Sequence, residues 1–247
     1  MRISILTLNP GYFPGALDEG MLRIARQKGL LEVALVAIRD FTADRYGTTD
    51  DYPYGGGAGM VMKPEPIARA WESVRRSAEG APRLLVTSPQ GRPFTQEWAR
   101  ELAGEPELAI LCGRYRGIDE RAIEALGAEE ISIGDYVLSG GEPAALVIAD
   151  ALARLIPGVL GDAESAESDS FSEPLLDAPV YTRPETFEGR RVPEPLLSGN
   201  HERIRIWRRR EALRRTWLKR PDLLQERALS DEDTKLLRDI QKEVREP

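Results

Sequence analysis

The sequence predicts an α/β protein, a parallel sheet with helices packed on it, followed by a small helical C-terminal region. Three observations predict it. Short β-branched and aliphatic runs alternate with amphipathic helical patterns as far as about residue 160, the signature of strands joined by crossover helices. Glycine-bearing loops follow several of the strand runs, where a parallel sheet places its ligands. Periodicity then stops in an acidic, serine-rich stretch and resumes with helical spacing alone.

The strand runs are "ISILTL" from Ile3, "LEVALVAI" from Leu31, "RLLVTS" from Arg83, "ELAILC" from Glu107 and "EEISI" from Glu129. Helical spacing places helices at about residues 16 to 29, 65 to 79, 95 to 103 and 118 to 126. A longer helix follows Gly141 through "EPAALVIADALARLI" to Pro157-Gly158, with Pro143 in its first turn, where a missing N–H costs nothing. "GDAESAESDSFSEP" reads as a linker or mobile loop. After a proline-punctuated segment come helices at about residues 199 to 219, 221 to 227 and 230 to 244. The expected division is residues 1–160, a linker over 161–178 and a helical domain over 179–247.

A chain of 247 residues with 41% hydrophobic content can bury a substantial core. There is no apolar run long enough to span a membrane, and "MRISILTLNP" lacks a signal-peptide pattern, so a cytoplasmic location is expected. One cysteine, Cys112, excludes an internal disulfide, and with one histidine, His201, it cannot furnish a structural zinc site. A Cys112–His201 nucleophile pair is formally available, but a cysteine closing an apolar run reads as a small core residue. The net charge of −7 argues against nucleic-acid binding by the whole surface. The charge is uneven, however: from His201 to Arg220, nine basic residues stand against Glu202 and Glu211. On a helix Arg208, Arg215 and Lys219 fall on one side and Ile206, Leu213 and Trp217 on another, so the first face is expected to point outward and meet phosphates, and the second to pack.

Three loops carry the chemistry. "TSPQG" follows the strand ending at Val86, "CGRYRGID" follows "ELAIL", and "SIGDYVLSGG" follows "EEI". None fits the dinucleotide fingerprint, and "GGGAGMVM" fits neither that nor the P-loop. Three such loops at one sheet edge favour a pocket. In "ISIGDYVLSGGEP" the strand is interrupted by Gly134-Asp135-Tyr136 and resumed by Val137-Leu138, as if shaped around a ligand.

The segments "YGGGAGMVMKPEP", "SPQG", "CGRYRGIDER", "SIGDYVLSGGE", "ARLIPGVLG", "DSF", "LLDAPVYTRPETFEG" and "LLSGNH" stand in the order and spacing of the bacterial tRNA (guanine-N1)-methyltransferase family, which the chain resembles over nearly its whole length. The resemblance implies a SPOUT-type sheet with a deep trefoil knot, S-adenosylmethionine as methyl donor, and a homodimer whose site is shared between subunits. The target it implies is the guanine immediately 3′ of the anticodon in a subset of tRNAs. The donor-binding positions carried over are Ser88, Pro89, Gln90, Gly91, Gly113, Arg116, Ile133, Gly134, Asp135, Tyr136, Val137, Leu138, Gly140 and Gly141. Those for the tRNA are Gly57 and Gly59, beside Arg208, Arg215 and Lys219 of the basic helix. Asp169 is implied as general base and Arg154 as charge stabiliser; magnesium is a possible participant, and no metal ligand is assigned. The chain departs from the family at Arg116, where glutamate is usual, at Val86-Thr87, where many members have Tyr-Leu, and at Pro143-Ala144, which replaces Leu-Pro. Two other readings stand beside this one: a catalytically silent RNA-binding protein or tRNA chaperone, and a related SPOUT enzyme with another target.

Overall fold

In the computed structural model, residues 1–161, 169–171, 173, 175–225 and 229–245 are described. The chain divides into two compact units, Met1–Ala163 and Glu164–Pro247. Residues 162–168, Ser172 and Pro174, which fall in the expected linker, lie outside the described residues.

The first unit is built on a five-stranded, all-parallel sheet. Its strands are β1 (Arg2–Thr7), β2 (Glu32–Ala37), β5 (Arg83–Pro93), β6 (Glu107–Cys112) and β7 (Glu129–Ser132), in the order β2-β1-β6-β5-β7. A separate hairpin pairs β3 (Asp50–Asp51) with β4 (Val61–Met62). The helices are α1 (Pro14–Leu17), α2 (Gly20–Gln27), α3 (Pro64–Ser77), α4 (Gln96–Ala103), α5 (Glu120–Leu126) and α6 (Glu142–Leu155). The helix expected over residues 16 to 29 is thus two pieces, broken at Gly20, whose φ of 56° does not continue a helix.

Both faces of the sheet are covered, which is why its strands read as nearly continuous apolar runs. Successive side chains alternate between faces. Ile3, Ile5, Leu85, Leu108 and Ile110 pack with Leu22, Trp98, Leu102, Ile148 and Leu152 from α2, α4 and α6. Leu6, Leu84, Val86, Ala109 and Leu111 pack with Ile67, Trp71 and Val74 of α3.

The β5–β7 ladder contains the feature that shapes the site. Ile131 is the register partner of both Thr87 and Arg92, so the chain between those two residues bulges out of the ladder. "SPQG" is that bulge.

The second unit contains a short hairpin, β8 (Thr186–Phe187) with β9 (Arg190–Arg191), and helices α7 (Glu194–Leu197), α8 (His201–Lys219), α9 (Asp222–Gln225) and α10 (Asp231–Arg245). Asn200 fixes the start of α8, its side chain accepting hydrogen bonds from the amides of Glu202 and Arg203, both at 3.1 Å. Leu175, Leu213 and Ile240 form the core, with Trp217, Leu224, Leu229 and Leu236 against it. Among the described residues no helix is long and apolar enough to cross a membrane.

Candidate functional site

The three glycine-bearing segments, the bulge within β5 and the loops at the carboxyl ends of β6 and β7, converge on a cleft of about 330 Å³, within the size range of small-molecule sites. Ser88, Pro89 and Gln90 come from the β5 bulge, Gly113 and Arg116 from the loop after β6, and Ile133, Gly134, Tyr136, Val137, Leu138, Gly140 and Gly141 from the segment after β7. Backbone bonds join the loops. The Gly141 amide donates to the Gly113 carbonyl at 2.8 Å. The Gly113 amide donates to Thr87 Oγ1 at 3.2 Å, and that hydroxyl donates to the Leu111 carbonyl at 3.3 Å.

Two of the expected donor positions are not part of the lining. Gly91 sits where β5 crosses back over β7, and a Cβ there would overlap the backbone of Glu130 and Ile131. Its lack of a side chain serves strand packing. Asp135 is exposed at the tip of its turn. Gly134 lines the cleft, but its glycine requirement has a local cause: its φ is 140°, and a Cβ would come within 2.7 Å of the Tyr136 ring. That turn is held by the Tyr136 amide donating to the Gly134 carbonyl at 2.9 Å and by the Tyr136 hydroxyl donating to the Ile133 carbonyl at 3.3 Å.

Arg116 joins the cleft to the Gly-rich loop. Its amide donates to the Met60 carbonyl at 3.0 Å, and its side chain lies so close to Gly57 and Gly59 that Cβ atoms there would come within 2.6 Å and 2.9 Å of it. The sequence did not single out Arg114, Tyr115 or Ser139, which also line the cleft. Arg114 packs over Gly140, where a Cβ would run into both Glu142 and Arg114, a contact that no local sequence pattern announces.

Arg154 is exposed in the last turn of α6, in the first unit. Asp169 is half-buried in the second unit, at the start of the turn carrying Ser170. Near it the Asp177 carboxyl is raised above its ordinary value by burial and by the charge of Asp169, although hydrogen bonds from the backbone and side chain of Ser170 pull the other way. Cys112 is a core residue. Burial, with the Glu142 carboxylate nearby, pushes its thiol well above the ordinary value and makes it a poor nucleophile.

The basic helix differs from the amphipathic picture. Much of its charge is matched inside the second unit: Arg205 pairs with Glu202 and Glu232, Arg209 with Asp233 and Glu173, and Arg210 with Glu243. Leu213 and Thr216 are buried and Trp217 packs beside them, but Ile206 is exposed, so the packed stripe begins farther along than expected. Arg215 is half-buried and donates to the Asp177 carbonyl at 3.4 Å. Among the described residues, Arg208 and Lys219 are exposed and make no ion pair.

Residues 1–226 match the family model described as tRNA (Guanine-1)-methyltransferase TrmD. The chain belongs to this family. Similar proteins include the tRNA (guanine-N(1)-)-methyltransferase of Dictyoglomus turgidum, 52% identical over 246 residues, covering 100% of this chain and 99% of the relative. That of Geobacillus kaustophilus is 52% identical over 243 residues, 98% and 99% of the two chains. That of Geotalea uraniireducens is 53% identical over 242 residues, 98% of each. Membership makes the protein, by family, an S-adenosylmethionine-dependent tRNA (guanine-N1)-methyltransferase.

Proposed function

We propose that the cleft binds S-adenosylmethionine and that the protein methylates N1 of the guanine immediately 3′ of the anticodon. The observation that carries the reading is the convergence of the three loops on one cleft in a chain of this family. The residues suit the donor: Ile133, Val137 and Leu138 offer apolar surface to a purine, while Gly113 and Gly134 let the loop backbone come close to it.

When bound, the donor supplies an electrophilic methyl group on a sulfonium. The guanine must supply the electron pair, and its N1 lone pair is tied up in the ring amide while N1 carries a proton. Asp169 takes that proton as general base. Arg154 stabilises the negative charge that gathers on O6 as the proton leaves. The N1–methyl bond forms as the sulfur–methyl bond breaks, leaving a neutral thioether and a methylated base. A homodimer in which each site takes Arg154 from one subunit and Asp169 from the other, as the family resemblance implies, is part of the proposal. So are the trefoil knot, supported by family membership, and the division into a donor domain, a linker and a tRNA-binding domain.

Gly57 and Gly59, beside Arg116, contribute to the tRNA surface, as do Arg208, Arg215 and Lys219 through phosphate contacts. Among the described residues no group of three or more His, Cys, Asp or Glu side chains is placed to hold a metal ion, and no step here uses magnesium.

The test is incubation of undermodified tRNA with isotopically labelled S-adenosylmethionine, followed by nucleoside analysis and mapping. The expected product is 1-methylguanosine at the one position 3′ of the anticodon. No transfer overturns the reading in favour of a silent RNA-binding protein, and transfer to another base or ribose overturns the target.

A further inference from the structure

Beside the donor cleft lies a second cavity, of about 620 Å³. Arg114, Leu138, Ser139 and Gly140 line both, so this cavity continues from the first around one wall. Arg114 is the cation at the junction, and its fixation is unusual for a loop arginine. Its Nη1 donates to Glu142 Oε2 at 3.3 Å. Glu142 is 1% exposed and cannot swing, because its other oxygen accepts from Thr7 Oγ1 at 2.9 Å and from Asn9 Nδ2 at 3.0 Å. Asn9 is tied in turn, its amide donating to Thr7 Oγ1 at 2.9 Å. The chain accommodates the pair by leaving Gly140 bare beneath it, and Arg114 and Gly140 form a backbone bridge.

A carboxylate in the interior needs paired donors, and this one has three. The guanidinium is differently placed. The Arg114 side chain remains 33% exposed, and among the described residues it makes no hydrogen bond beyond the one to Glu142. Its remaining N–H groups are therefore directed by a rigid partner yet open to the two cavities, an arrangement suited to an oxyanion.

We propose that Arg114 is a recognition residue for an oxyanion at the junction of the two cavities, and that Glu142 is the positioning residue that aims it. This rests on the donor-cleft reading above. The oxyanion has two possible sources, the carboxylate of the donor's amino-acid part or a backbone phosphate of the tRNA. The overlap with the donor cleft and the continuation beyond it bring both within reach.

The test compares the full-length wild type with Arg114→Gln, Arg114→Lys, Glu142→Gln and the Arg114→Gln/Glu142→Gln double variant. Three probes are titrated: S-adenosylhomocysteine, methylthioadenosine, which lacks the amino-acid carboxylate, and substrate tRNA. Arg114→Gln is expected to weaken either S-adenosylhomocysteine or tRNA by about tenfold or more, the loss of a charge-assisted hydrogen bond, and to leave methylthioadenosine unchanged. The ligand that weakens identifies the source. Arg114→Lys retains the charge and should recover part of the loss. Glu142→Gln should weaken the same ligand, and the double variant should be no worse than Arg114→Gln alone. Additive losses overturn the role of Glu142. Equal weakening of methylthioadenosine makes the pair a structural tie and overturns the proposal, as does binding of all three probes within twofold of the wild type by folded Arg114→Gln. A wild type that binds none of the probes overturns the donor-cleft reading itself, and this proposal with it.

Discussion

Gly141 donates its amide to the carbonyl of Gly113 at 2.8 Å, and that bond ties the segment after β7 to the loop after β6. The same approach leaves no room for a side chain. A Cβ on Gly141 would overlap Thr87 Oγ1 and come within 2.9 Å of both the Cys112 Cα and the Gly113 amide nitrogen. We predict that Gly141→Ala costs about 1–3 kcal/mol of stability, the usual cost of overpacking, and weakens donor binding together with it. Denaturant unfolding followed by calorimetry checks both; an alanine variant of unchanged stability would mean that the loops are not locked together in this way.

Asp169 is expected to act as the base. Asp169→Asn preserves shape and removes the proton acceptor, so kcat should fall by about 10² or more while donor binding persists. Turnover near the wild-type rate would return Asp169 to the role of a loop acid.

Sharing of the site between subunits has its own consequence. Mixing inactive Arg154→Ala and Asp169→Asn chains should restore part of the activity, because one of the two sites in a heterodimer regains both groups. Absence of complementation in a preparation shown by mass spectrometry to have exchanged subunits would contradict the shared site.

The arginines of α8 should separate into two classes. Arg208→Glu with Lys219→Glu removes exposed cations that make no ion pair among the described residues, and should weaken tRNA binding and reduce its salt slope by about 2. Arg209→Met should instead cost about 3 kcal/mol, since it strips the almost fully buried Asp233 carboxylate of a bidentate partner held at 2.7 and 2.8 Å. Filter binding at several salt concentrations and thermal unfolding distinguish the two; equal effects on both readouts would erase the distinction.

At the open edge of the sheet, Arg83 contacts Glu129, Glu101 and Glu105 and holds the Glu129 carboxyl below its ordinary 4.5, chiefly through its hydrogen bonds. Glu129 therefore contributes stability that is present above its unfolded value and is lost as pH falls through its lower folded one. Arg83→Met should lose that contribution at neutral pH and show a shallower decline in stability from about pH 4.5 downward. A parallel shift of the whole stability curve, with the acid limb unchanged in slope, would contradict the linkage.

The sheet was legible because its central strands are buried on both faces and flanked by helices with a strong apolar stripe, and its edge strands still carry short aliphatic runs. The hairpins Asp50–Asp51/Val61–Met62 and Thr186–Phe187/Arg190–Arg191 were not, since two-residue strands carry no period. The three cleft loops were visible as glycine-bearing segments after strands, whereas the ligand they hold and the roles of Asp169 and Arg154 came only through resemblance. What no local pattern could reveal was long-range pairing. The acids that balance α8, among them Glu232, Asp233 and Glu243, lie more than twenty residues away in the chain, and Glu142 meets Thr7 and Asn9 only after the sheet has formed. Gly91 and Gly134 show the same limit at single residues: each suggested contact with a ligand, and each has a neighbour in its own chain that explains it.

The central claim is that the bulge of β5 and the loops after β6 and β7 form the donor site, and calorimetric titration of S-adenosylhomocysteine tests it most directly. Leu138 is a suitable probe because it lines the cleft and is 39% exposed, so a polar substitution there spares the core. The wild type should bind one equivalent per chain, and Leu138→Asp should bind at least about tenfold more weakly with unchanged thermal stability, as expected when a charge replaces apolar contact with a purine. No binding by the wild type, or equal affinity in the folded variant, would contradict the account.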